Sequence, residues 1–141
     1  MKKVTKPLIV ILVIIFILSF KLITHKYKRA SFPDNTQTIS LYKTNTNHYF
    51  SKNTCIIQIT EPNTIHEILK IMNAATFTLS SRDPHNPNCN ILIKYPAGEF
   101  GLQYYIDKKN QTSFFSYIGH DGKYYLINKK DTKKLMSLFG L

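Results

Sequence analysis

The chain has 141 residues, with 19 basic and 8 acidic side chains, 2 Cys and no Trp. A chain of this length holds one domain and excludes a multidomain enzyme. Of the formal charge of +11, seven charges lie in residues 1–30, which carry no acid, so residues 31–141 hold only +4. The basicity is a property of the leader and not of a nucleic-acid-binding face. The 17 Lys against 2 Arg (Arg29 and Arg82) also count against base reading, which leans on bidentate Arg. The Ile- and Asn-rich, Ala-poor composition matches the codon usage of an AT-rich, low-GC bacterium.

Residues 1–7 form a basic N-terminal segment. Leu8 to Phe20 reads LIVILVIIFILSF, with Ser19 its sole polar residue, and the run extends to Thr24. As a helix, residues 8–24 would measure about 26 Å at ~1.5 Å per residue. The hydrocarbon core is ~30 Å thick, so the segment reads as a short transmembrane helix, a signal anchor. Lys21 fits by snorkelling its ammonium to the interface. A cleaved signal peptide is the competing reading, but no small-x-small pair and no acylation Cys follow the run. Lys26, Lys28 and Arg29 would then contact membrane phosphate. The expected address is the cell membrane, single-pass, with the domain outside the cytoplasm.

Residues 25–37 read as a basic juxtamembrane segment and linker. From 38 onward the patterns are regular. Ile39 and Leu41 alternate with polar partners as a first strand, and CIIQIT (55–60) is a second. Pro62 to Met72 is an amphipathic helix, because Ile65, Ile68, Leu69 and Met72 fall on one face at i, i+3, i+4, i+7. Thr60 or Asn63 is its expected cap, and residues 75–79 make a short strand. Residues 80–90 are a loop. Four aromatic-rich strands follow, around Ile91–Tyr95, Leu102–Ile106, Ser113–Ile118 and Tyr124–Ile127, with turns between them. They predict an antiparallel meander, one hairpin marked by Asp121-Gly122. A last helix starts at Asn128 or Asp131, shows Leu135, Leu138 and Phe139 on one face, and stops at Gly140. The expected class is α+β: a transmembrane helix, then one small domain (38–141) with an antiparallel sheet, one covering helix and a C-terminal helix.

The succession ITEPNTIHEILKIMNAA, a loop with Asp83-Pro84, NILIKY, LQYYIDK, a hairpin and KYYLINKKDTKKLMSLF resembles the YhfM-like domain of small Gram-positive envelope proteins. The resemblance covers residues 38–139. It implies a fold and an envelope address, and it supplies no catalytic residues. The chain departs from that family in lacking a lipobox Cys, and Asn88-Cys89-Asn90 stands where an acidic-aromatic pair is expected.

Chemistry-bearing residues are few. Cys55 and Cys89 begin two strands and would form a disulfide if those strands were neighbours; the competing reading is two buried thiols. His85, Cys89, Asp83 and His120 are too sparse for a structural zinc site. A thiol nucleophile at Cys55 or Cys89 needs a base beside it, and no local signature supplies one. Lys129, Lys130, Lys133 and Lys134 read as a solvated helix face. Tyr104-Tyr105 and Tyr124-Tyr125 must split between the sheet's two faces, and the outer members are the candidate contact surface. No Gly-rich phosphate loop, HExxH or GxSxG occurs, so neither catalytic residues nor a cofactor nor a metal is expected. The expected function is a single-pass membrane protein whose outer domain binds a protein or cell-wall polymer without catalysis. Its expected partners are the lipid bilayer and that unknown ligand, with no nucleic acid. Two other readings stand beside it: an accessory or immunity factor of a transporter or toxin system, and a small thiol-dependent enzyme.

Overall fold

The computed structural model describes residues 10–19, 29–44, 49–51, 54–79, 86–120 and 122–141. Helix α1 covers residues 10–19, and its side chains from Val10 to Leu18 are about half exposed or more. Among the described residues no helix is long and apolar enough to cross a membrane. The expected transmembrane helix over 8–24, and with it the single-pass membrane assignment, is therefore corrected. Lys26 and Lys28 lie outside the described residues; Arg29 is exposed.

Seven strands follow: β1 (Thr38–Lys43), β2 (Cys55–Ile59), β3 (Thr76–Leu79), β4 (Cys89–Tyr95), β5 (Gly98–Asp107), β6 (Thr112–Tyr117) and β7 (Lys123–Ile127). Helix α2 (Pro62–Asn73) joins β2 to β3, and α3 (Lys129–Phe139) follows β7. All pairings are antiparallel, in one sheet of order β2-β1-β4-β5-β6-β7-β3. The α+β class and the β4–β7 meander agree with the pattern of the sequence. The two crossovers are new. β1 inserts between β2 and β4, and β3 returns from α2 to the far edge, beside β7.

Side chains alternate across each strand, so one sheet face collects Ile39, Leu41, Ile91, Ile93, Leu102, Tyr104, Phe115 and Ile127. Both helices lie on that face. α2 contributes Ile65, Ile68, Leu69, Ile71 and Met72, the stripe expected from its spacing. Its cap is Glu61, whose carboxylate accepts from Asn63 N and Thr64 N, and Pro62 at N1 has no N–H to leave unpaired. Hydrogen bonds from Thr64, then Asn63, hold the Glu61 carboxyl below its usual range. α3 buries Thr132, Leu135 and Phe139, is capped by Asn128, and ends at Gly140 with φ 66°, which a residue with Cβ adopts at a cost.

The described part of the expected linker, residues 29–37, does more than link. Ala30 and Phe32 are buried, and the Phe32 ring meets Phe100, Phe115 and Tyr117. Phe32 N also donates to Asn73 Oδ1 at 2.9 Å, which ties this segment to the end of α2.

Candidate functional site

Of the two readings of the cysteines, the structure has the free thiols: Cys55 is free and exposed, Cys89 free and buried. The reason is topological. Cys55 pairs with Tyr42 on one side of β1, and Cys89 with Lys43 on the other. Two strand spacings of ~4.8 Å put their backbones about 10 Å apart, beyond the ~4.4–6.8 Å that a disulfide spans. Among the described residues no group of His, Cys, Asp and Glu can hold a metal. His85 and Asp83 lie outside those residues.

The four tyrosines split as alternation requires. Tyr104 and Tyr125 point to the helix-covered face, Tyr105 and Tyr124 to the opposite one. They make no common exposed strip, because Tyr104 is fully buried and Tyr105 and Tyr124 are 6% exposed each.

Two buried polar groups result, one on each face. On the helix-covered face Cys89 faces Tyr104 across β4 and β5. Ser113 Oγ and Thr132 Oγ1 share a hydrogen bond of 2.9 Å, and Thr132 Oγ1 also donates to Ile127 O at 3.2 Å. Burial pushes the Cys89 thiol up to about 12, and burial does the same to the Tyr104 hydroxyl, against a small opposing effect of Ser113. Ser113 has its hydroxyl committed to Thr132, and by geometry Tyr104 Oη has no hydrogen-bond partner among the described residues. A thiol this hard to ionise is a poor nucleophile. This group ties α3 to the sheet and is closed to substrate.

On the opposite face the register lines up a polar row. Tyr42 pairs with Asn90, Asn90 with Gln103, and Gln103 with Ser116, so four adjacent strands place these side chains side by side. Residues paired in this way share a face, with Cβ atoms ~4.5–5.5 Å apart. Asn90 is fully buried; its Nδ2 donates to Tyr49 O at 3.2 Å, while its Oδ1 has no partner among the described residues. Ser116 is 4% exposed, and Gln103 is half-buried, so the row reaches solvent at Gln103. Gln103 Oε1 accepts from Tyr105 Oη at 3.1 Å, and no described residue accepts from its Nε2. Phe50 roofs one flank. A Cβ on Gly101 would lie 3.0 Å from its ring, so only glycine lets Phe50 settle onto β5, where the ring also meets Tyr42 edge-on.

An unmet carboxamide oxygen in a protein interior costs about 1–3 kcal/mol, which singles out Asn90 within the row. Sequence patterning marks Gln103 and Ser116 only as polar positions on strands and leaves Asn90 at the end of the loop before β4. Their alignment depends on register, which local patterns do not carry.

A cavity of about 50 Å³ lies elsewhere, between the end of α2 and the start of α3, lined by residues including Thr76, Asn128 and Asp131. It has room for a water and not for an acyl chain. Its polar side chains are spent on capping, since Asn128 Nδ2 donates to Asp131 Oδ2 at 2.7 Å and Asp131 N donates to Asn128 Oδ1 at 2.9 Å.

No family model matches the chain, and no curated protein does. Among solved structures it is similar to a thioesterase-like protein from Clostridium sporogenes ATCC 15579, with a TM-score of 0.58 and 20% identity. The match covers 79% of this chain and 97% of that one. The likeness shows the fold alone: an antiparallel sheet that carries helices on one face. With no described helix able to cross a membrane and a fold shared with a thioesterase-like protein, the expected membrane-anchored, non-catalytic envelope-binding domain is corrected.

Proposed function

We propose that the chain is a small hydrolase of acyl thioesters, working at the outer-face row of Asn90, Gln103 and Ser116. The support is twofold. The fold is shared with nearly the whole of a thioesterase-like protein. The carrying observation is Asn90, fully buried with no partner for its Oδ1 among the described residues, beside a Gln103 amide from whose N–H groups no described residue accepts.

In this reading the substrate carbonyl sits over β5. Gln103 Nε2 donates to its oxygen and strengthens as that oxygen gains charge. Asn90 Oδ1 accepts from a water and aims it at the carbonyl carbon. Water adds, the C–S bond breaks, and the products are a carboxylic acid and a free thiol that takes up the proton. The row contains no His, Asp or Glu. A general base is worth roughly 10²–10⁴ in rate, so turnover is slow for a hydrolase. Neither cysteine serves as nucleophile. Cys89 is buried and on the other face, and Cys55 lies two strands from Asn90.

The test is thiol release from acyl-coenzyme A and S-acyl-N-acetylcysteamine of graded chain length. A Cys55→Ser background removes the exposed protein thiol from the readout. Multiple turnovers are expected. Gln103→Ala should lower kcat by about 10²-fold, the usual loss for one oxyanion donor. No release above the buffer rate at any chain length overturns the reading.

A further inference from the structure

We infer that Tyr105 is a positioning residue that fixes which way the Gln103 amide faces. The inference rests on the reading above, in which Gln103 must present N–H groups and not its carbonyl. Residues 103 and 105 are two apart on β5, so their side chains stand on the same face. Tyr105 Oη donates to Gln103 Oε1 at 3.1 Å. That bond uses the amide's acceptor end and leaves its donor end turned into the row.

A hydroxyl can orient an amide only if the hydroxyl itself is held. Tyr105 is 6% exposed. Its ring stacks on Phe114, its cross-strand partner, at 4.8 Å and 8°, and Tyr124 closes the cluster edge-on at 6.3 Å. Phe114 and Tyr124 also meet edge-on, at 5.6 Å, so the three rings hold one another. Offset stacking and edge-to-face contacts of this kind favour a single arrangement. The aromatic cluster thus acts as a jig, and its product is the orientation of one side-chain amide in the neighbouring polar row.

Tyr105→Phe keeps the ring cluster and removes only the hydroxyl. Two readouts follow. Side-chain NMR of Gln103 reads orientation without any turnover: the Cδ resonance should move in Tyr105→Phe, because its oxygen loses a donor. The kinetic readout should show kcat down about tenfold, the worth of one neutral hydrogen bond, with KM unchanged. Gln103→Glu sharpens the point, since it keeps an acceptor for Tyr105 and removes the donor, and it should be as slow as Gln103→Ala. Unchanged Cδ shifts in Tyr105→Phe overturn the inference. So does a shift confined to the Nε2 protons, which means the amide donates to Tyr105. If the wild-type protein releases no thiol, the proposed reaction fails while the NMR still decides the role of Tyr105.

Discussion

Cys89 and Tyr104 face each other across β4 and β5, both sealed beneath the helices, and each is harder to ionise than its free counterpart. The cause is desolvation, which disfavours the charged form. Burial also pushes Tyr117 up, with Tyr125 nearby adding to it. In the unfolded chain a thiol ionises near ~8.5 and a phenol near ~10. For groups whose folded pKa is raised, stability is fully present below the unfolded value and is lost as pH rises. We therefore expect the denaturant midpoint to be level up to about pH 8 and to fall steadily toward pH 12. A midpoint that stays flat over that range would show that these side chains are not sealed in solution.

The same burial separates the two thiols. Cys55 is exposed and Cys89 is buried. In the native protein an alkylating reagent should label one thiol within minutes and the second only after unfolding. Mass mapping should place the first label on Cys55. Rapid labelling of both would contradict the closed helix-covered face, and a mass two protons short, with no labelling, would mean that a disulfide forms after all.

Much of the fold was legible locally, and the reasons are physical. The spacing of Ile65, Ile68, Leu69 and Met72 marks α2 because one helix face must be apolar. Asn128 and Gly140 bound α3 because a cap must accept from free N–H groups and a stop needs a left-handed residue. Legibility ended where distant segments meet. Nothing near Thr76–Leu79 says that it pairs with β7 across the sheet, and nothing near Phe32 says that its ring belongs to the core. The apolar run from Leu8 had the composition of a span, yet among the described residues no helix is long and apolar enough to cross a membrane. The candidate site was invisible for the same reason as the crossovers. Asn90, Gln103 and Ser116 become neighbours only through the registers of three strands.

Attachment of α3 offers a graded test. Leu135 is fully buried in the core, and Leu135→Ala should cost about 3 kcal/mol through lost burial and the cavity left behind. Thr132→Val removes the hydroxyl that joins Ser113 to the Ile127 carbonyl, and should cost about 1–2 kcal/mol. Lys134 pairs with Glu67 of α2 at 3.3 Å, but both side chains are about half exposed. Lys134→Ala should therefore cost less than about 0.5 kcal/mol, and less still in high salt. Chemical denaturation of the three variants gives the ranking. A large effect at Lys134 with a small one at Leu135 would mean that α3 is held by charge and not by packing.

Asn90 separates a site from a structural oddity. Its Oδ1 lacks a partner among the described residues, so Asn90→Leu, which keeps the branching at Cγ with bulkier ends, removes an unmet group along with one hydrogen bond to the Tyr49 carbonyl. Tyr49 is exposed, so water can replace that donor, and the change in stability should stay within about 1 kcal/mol. Asn90→Asp differs by one atom and should behave very differently. A carboxylate at this fully buried position has no cation partner in the row, so at pH 7 the variant should lose roughly 3 kcal/mol. Burial raises the folded pKa of such an Asp above the unfolded ~3.9, so the lost stability should return as pH falls toward ~4. If Asn90 serves the reaction, Asn90→Leu should fold normally and release thiol no faster than Gln103→Ala does. A stable Asn90→Leu protein with wild-type turnover would leave the buried carboxamide with a purely architectural part and remove the water-orienting step.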